Sequence, residues 1–183
     1  MGTGIVAALF RQATRPPRQH NPAVIETDIG EELAQLRDAL REGGLQAGLA
    51  WLNGRTPYRF TGMYRYDGDT LRNVALFDRW TPDARQGADA PMAETFCAIL
   101  RDSGEWLEVD DGPNDARFPW MRDNAVVCYC GALLRDEQGQ PWGTVCHFDL
   151  QRCQPVRGEV DLLLAAAPLL YDEARKLPDA GPA

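Results

Sequence analysis

Two tight turns limit what this chain can fold into. Tyr58 to Tyr66 is rich in aromatic residues, Asp67-Gly68 follows, and Thr70 to Phe77 returns with strand character. An Asp-Gly pair between such runs is a strong short-range hairpin signal. A second pair of runs, Val126 to Leu134 and Trp142 to Leu150, is joined by a turn around Gly139. Strands connected this closely must run antiparallel, because a parallel return needs a crossover of a dozen or more residues.

Helical signals bracket and interrupt these strands. Thr27 or Asp28 can cap a helix whose first turn carries Glu31 and Glu32, at the positive end of the helix dipole. Leu33, Leu36, Leu40, Leu45, Leu49 and Leu52 form its apolar stripe, interrupted at Gly43-Gly44 and ended by Asn53-Gly54. Residues 78–92 hold prolines and glycines without period and read as a loop. Met92 to Asp102 reads as a short helix closed by Ser103-Gly104, and Glu105 to Val109 as a short strand. Asp110 to Asp123 is polar, with turn chemistry at Asp111-Gly112-Pro113-Asn114. Arg157 to Arg175 reads as a long helix, with a kink expected at Pro168. The order is helix, two strands, helix, three strands, helix. That is an α+β pattern, an antiparallel sheet with helices stacked on it.

The chain has 183 residues, which fits one domain with short appendages. We divide it into an arm (1–26) broken by Arg15-Pro16-Pro17-Arg18, a body (27–176) and a tail (177–183). Arg11, Arg15 and Arg18 make the arm basic, so the body is more acidic than the net charge of −8. Nucleic acid is therefore not an expected partner, since phosphate binding needs clustered Lys and Arg. The longest apolar run, Leu162 to Tyr171, is far below the roughly 20 residues that span a bilayer, so no membrane association is expected. Five cysteines and a poor signal-peptide pattern point to free thiols and a cytoplasmic protein.

Four phrases in order resemble one family. They are Glu94-Thr95-Phe96-Cys97-Ala98-Ile99-Leu100 with Ser103-Gly104; Leu107-Glu108-Val109-Asp110-Asp111 with Asp115-Ala116-Arg117-Phe118; Tyr129-Cys130-Gly131-Ala132-Leu133-Leu134; and Asp136 to Gly139 with Gly143-Thr144-Val145-Cys146-His147-Phe148-Asp149. Together they resemble the GAF domains of bacterial sensor proteins, over about residues 30–175. One departure is that Ala132-Leu133-Leu134 lacks a proline often found before that leucine. The resemblance implies a central antiparallel sheet of five to six strands. The terminal helices would lie on one face, and short helices and loops would cover the other. It implies a non-enzymatic module that binds a small molecule and signals in trans, through a homodimer joined by the terminal helices or through a separate output protein. The residues outside the body are too few for an output domain.

The resemblance places the ligand between the sheet and residues 78–98 and 110–125. Aromatic and convergent polar groups suit such a pocket. Tyr64, Trp80, Phe96, Arg117, Phe118, Trp120 and Tyr129 are the candidates, with Phe77 and Phe96 also readable as core. The ligand is unidentified. The acidic run at residues 110–115 lacks calcium-loop spacing, and Cys128-x-Cys130 lacks zinc spacing, so no metal is expected. His147 could ligate haem, but a strand histidine satisfied by protein partners is the commoner case, and a bilin attached at Cys146-His147 is not expected. The alternative function is a thiol-based reductase resembling the free methionine-R-sulfoxide reductases, using Cys97, Cys128, Cys130 or Cys146. A hairpin turn centred near Gln138 would set Cys130 opposite Cys146, Tyr129 opposite His147 and Cys128 opposite Phe148. Cys130 and Cys146 would then share a face, within reach of a disulfide. The alternative for both is that of small buried hydrophobes.

Overall fold

Asp28 begins the first helix, its carboxylate accepting from the Gly30 amide at 2.9 Å. In the computed structural model, residues 28–84 and 86–177 are described; the arm and the tail beyond residue 177 lie outside them. Helix α1 spans Ile29–Gly54 and is broken at Gly44, whose φ of 66° belongs to the left-handed region that glycine tolerates. The break falls within the Gly43-Gly44 pair where the leucine stripe is interrupted. The polypeptide then forms β1 (Phe60–Asp67) and β2 (Thr70–Asp78), turning at Asp67 and Thr70.

The loop after β2 carries one feature the sequence hides. Ala90–Pro91 pairs with the start of β2 as a two-residue strand, β3. The helix read from Met92 is shorter than expected: Met92–Glu94 is a single 3₁₀ turn, and α2 runs Phe96–Ser103. Thr95 separates them, because its side chain accepts from the Ala98 amide and caps α2. Then follow β4 (Trp106–Val109), two further 3₁₀ turns at Gly112–Asn114 and Pro119–Met121, β5 (Cys128–Arg135), β6 (Pro141–Asp149) and helix α3 (Glu159–Ala174). Helix α3 continues through Pro168 as one element.

The six strands form one sheet in the order β3-β2-β1-β6-β5-β4, each neighbour antiparallel. Alternation splits its residues between two cores. On one face Met63, Ala75, Cys128, Cys130, Ala132, Leu134 and Val145 meet the leucine stripe of α1 and Val160, Leu163, Ala167, Leu170 and Ala174 of α3. The apolar stripe of α3 is thus largely consumed by its own sheet, and Phe77 packs on this side too. On the other face α2 and the 110–127 segment cover Tyr64, Leu107, Val109, Tyr129, Leu133 and Cys146. Among the described residues no helix is long and apolar enough to cross a membrane.

At the end of β2, Arg59 holds Asp78 through two parallel hydrogen bonds of 2.9 and 2.7 Å, and the Trp80 amide donates to the same carboxylate. The Arg59 hydrogen bond is the chief reason the Asp78 carboxyl sits below its usual value. A carboxylate depressed in the folded state stabilises it above the unfolded value near 3.8, and that contribution fades as pH falls through the lower folded value. Asp78→Asn should therefore lower the urea midpoint at neutral pH. The gap from the wild type should close in acid, and denaturation curves at both pH values check this.

Candidate functional site

The face covered by α2 is built from every second residue of the central strands. Phe60, Gly62, Tyr64 and Tyr66 of β1 lie beside Phe148, Cys146 and Thr144 of β6, which lie beside Tyr129, Gly131 and Leu133 of β5. Cys146 is therefore flanked by a glycine on each neighbouring strand. A Cβ on Gly131 would sit 2.5 Å from the Tyr129 hydroxyl, and one on Gly62 would sit 2.7 Å from the Tyr64 ring. The two tyrosine rings lie in the space those absent side chains leave.

Folding Tyr129 over Gly131 carries its hydroxyl to Cys97 in α2, at 3.4 Å from the sulfur. The Thr144 hydroxyl donates to the same sulfur at 3.3 Å. Cys146 lies in the same buried cluster, two residues along β6 from Thr144 and opposite the Gly131 over which Tyr129 is folded. Tyr66 donates to the Cys97 carbonyl at 3.0 Å, tying α2 to β1. Cys97 occupies the second position of α2, beside the free amides of the helix start. The neighbouring Cys146 first, and then the Thr144 and Tyr129 hydroxyls, hold the Cys97 thiol below its ordinary value against the opposing effect of burial. Burial pushes Cys146 and Tyr129 up.

The candidate pocket residues divide. Tyr64, Phe96, Phe118 and Tyr129 are brought together and buried, Phe96 lying 5.4 Å from Tyr129 and 6.2 Å from Phe118 between ring centroids. Trp120 is 56% exposed and stands edge-on against Phe118. Arg117 lies over the Phe118 ring, clamps Asp115 and donates to the Glu108 carbonyl. Trp80 is 65% exposed and sits apart, at the far end of the same face. It stacks on Arg59, which also covers Phe60; Phe60 stacks on Phe148, and Phe148 meets Tyr64. Phe60, Phe148 and Arg59 were missed by sequence reasoning. Phe60 and Phe148 are at even spacing from Tyr64 and Cys146, which was the available signal.

The expected pairing of Cys130 with Cys146 is wrong by one residue. Arg135 pairs with Pro141, the register of a turn centred near Gln138, but Leu134 pairs with Gly143. Trp142 is skipped as a bulge, and everything beyond it shifts by one. Cys130 thus faces His147, Gly131 faces Cys146, and Tyr129 faces Phe148. Cys128 and Cys130 point to the helix side and Cys146 to the α2 side, so the cysteine partner of Cys146 is Cys97. Cys128 lies instead beside Cys153, both thiols donating to the Gln151 carbonyl. Burial raises Cys128 and Cys130.

The same shift puts His147 on the helix side, fully buried. Asn53, its orientation fixed by Arg79, donates to the Thr61 hydroxyl at 2.9 Å. Thr61 shares a hydrogen bond with His147 Nδ1 at 2.7 Å, and His147 Nε2 meets Glu159 at 3.1 Å. The other Glu159 oxygen faces Arg55 Nε at 3.5 Å, and Arg55 reaches Glu32 at 2.6 Å. Both ring nitrogens of His147 are occupied by protein partners, which leaves none for a haem iron. Among the described residues no group of three or more His, Cys, Asp and Glu is arranged to hold a metal.

No protein-family model and no curated protein sequence matches the chain. Solved structures do. The GAF domain of a phosphoenolpyruvate-protein phosphotransferase from Acinetobacter superposes with a TM-score of 0.64 at 10% identity, over 81% of this chain and 93% of that one. Free methionine-R-sulfoxide reductase from Neisseria meningitidis, in complex with its substrate, gives 0.60 at 16% identity, over 81% and 90%. The chromophore-binding domain of Stigmatella aurantiaca phytochrome P1 gives 0.60 at 16% identity, over 90% and 64%. The chain has a GAF-like fold, as its phrases implied.

Proposed function

We propose that this protein is a sensory module that reads a small molecule at the sheet face beneath α2 and signals in trans, to a second copy or to a separate output protein. The observation that carries this reading is the composition of that face: aromatic rings surround a convergent polar cluster, Cys97, Tyr129, Thr144 and Cys146, in an otherwise apolar layer. Such a mixture suits a ligand site better than a plain core. The cover supports the reading as well. Residues 110–127 close the face with uncapped 3₁₀ turns and local side-chain-to-backbone hydrogen bonds rather than with a regular element, so they can open at low cost. The fold likeness to a phytochrome chromophore-binding domain and a phosphotransferase GAF domain points the same way.

Native against denaturing mass spectrometry of the freshly purified protein tests for a retained ligand, and thermal melts against a metabolite panel, run in reductant, test for a weak one. We expect a ligand-dependent rise in melting temperature that Trp120→Ala and Arg117→Ala reduce, with the unliganded melt little changed because both side chains are exposed. A homodimer is expected by light scattering at high concentration.

The second reading is a thiol reductase. It is favoured by the juxtaposition of Cys97 and Cys146 and by the likeness to free methionine-R-sulfoxide reductase. It requires turnover of free methionine-R-sulfoxide with dithiothreitol, abolished by Cys97→Ser. Absence of turnover removes this reading and leaves the sensory one.

A further inference from the structure

We propose that Cys97 and Cys146 form a redox pair, Cys97 being the thiol that a small hydroperoxide oxidises and Cys146 the thiol that resolves it into a disulfide. The proposal concerns the stimulus read at the same face and deepens the sensory reading, on which its signalling role rests; the chemistry stands on the geometry alone.

Four groups converge here: the hydroxyls of Thr144 and Tyr129 and the thiols of Cys97 and Cys146. Both hydroxyls lie within hydrogen-bond distance of one sulfur, that of Cys97. A neutral thiol is a weak acceptor and does not need two hydroxyl partners in an apolar core, whereas a thiolate does. The start of α2 adds its positive end at the same atom. Cys146, by contrast, is pushed toward the thiol form by burial. The pair is thus divided into an attacking sulfur and a reserve sulfur in the same buried cluster, two residues from Thr144 on β6. Cys128 and Cys153, the other adjacent thiols, lack this division, because both are raised and both donate to one carbonyl.

The chemistry balances without a metal or a cofactor. The Cys97 thiolate attacks the distal oxygen of the hydroperoxide; the S–O bond forms as the O–O bond breaks, and the departing oxygen takes a proton to leave as an alcohol or water. Cys97 is then a sulfenic acid. The Cys146 sulfur attacks the Cys97 sulfur; the S–S bond forms as the S–O bond breaks, and hydroxide leaves with the Cys146 proton as water. Two electrons pass from the two thiols to the peroxide. A dithiol returns the pair to the reduced state by exchange. Cys97 is 4% exposed and Cys146 1%, so entry requires local opening of the two-turn α2 and favours an oxidant near the size of water. The new bond would tie α2 covalently to β6, at the centre of the sheet.

The test uses the full chain, reduced and then freed of reductant, with hydrogen peroxide as the probe. Peptide mapping without reduction should find Cys97 linked to Cys146, and dithiothreitol should reverse it. Cys146→Ser should stop the reaction at a Cys97 sulfenic acid trapped by dimedone. Thr144→Val, which keeps the shape of the side chain, should slow oxidation by about tenfold and move the midpoint of its pH profile upward, as loss of a hydrogen bond to a charged group requires. Oxidation confined to Cys153, a Cys128–Cys153 linkage without Cys97–Cys146, or a Thr144→Val rate equal to the wild type would each overturn the proposal. Those outcomes leave the ligand-dependent melt in reductant untouched, and a missing melt shift leaves the disulfide untouched, so the two failures are distinguishable.

Discussion

Gly143→Ala should destabilise the domain by about 3 kcal/mol or more, a fall of roughly 10 °C in melting temperature. Gly143 lies in the middle of the sheet, paired with Arg65 of β1 on one side and with Leu134 of β5 on the other. A Cβ there would overlap the Tyr64 carbonyl oxygen and stand 3.1 Å from the Arg65 Cα. These are backbone atoms in a paired strand, so no rotamer change relieves the overlap; β1 and β6 must separate. Gly54→Ala is the control, because its Cβ meets nothing within 4 Å at the exposed end of α1. It should be neutral or stabilising by about 0.5 kcal/mol, since alanine narrows the unfolded ensemble. Thermal and urea denaturation of both variants measure the contrast.

Glu159→Ala should cost about 3–5 kcal/mol, the range for removing one partner from a buried ion pair. Glu159 is 1% exposed at the first position of α3. It accepts from His147 and faces Arg55, which in turn meets Glu32. Alanine leaves the His147 Nε2–H without an acceptor in a region closed to water and removes the charge opposite Arg55, so the desolvation penalty of the imidazole stands uncompensated. Glu159→Gln retains an oxygen for His147 and the packing volume, and should lose roughly half as much. Urea unfolding at constant pH measures both. Near-equal losses for the two variants would show that the charge opposite Arg55, rather than the hydrogen bond to His147, carries the effect.

The elements that depend on neighbouring residues could be read directly. Asp67-Gly68 marks the first hairpin, Asp28 caps α1, Gly43-Gly44 breaks it, and Thr70 to Phe77 matches β2 to within one residue. What could not be read depends on three-dimensional pairing. The Trp142 bulge gives no local sign, since a tryptophan beside a proline and a glycine fits an ordinary strand start, yet it decides which face each of Cys146 and His147 occupies. The partners of Glu159 come from α1, β6 and the residue after α1, far apart in sequence and unrelated by any spacing rule. Tyr64, Phe96, Phe118 and Tyr129 were legible as a group because aromatics near turns and at alternate strand positions converge on one face. That Trp80 stands apart from them could not be read, because it depends on the loop after β2 turning back toward Arg59 at Asp78.

The bulge also makes the face of every inner residue of β6 depend on one skipped residue. Tips of β-hairpins usually accept a gained or lost residue, and such changes are common routes of divergence. If Trp142 were kept but drawn into the ladder opposite Leu134, the bulge would vanish and the inner half of β6 would turn over. The imidazole would then lie among the rings beneath α2, and the Cys146 sulfur would face Glu159. Each would arrive where nothing is arranged to receive it. Drift in this lineage should therefore alter the residues of the 136–140 turn freely while holding the pairing of Leu134 with Gly143.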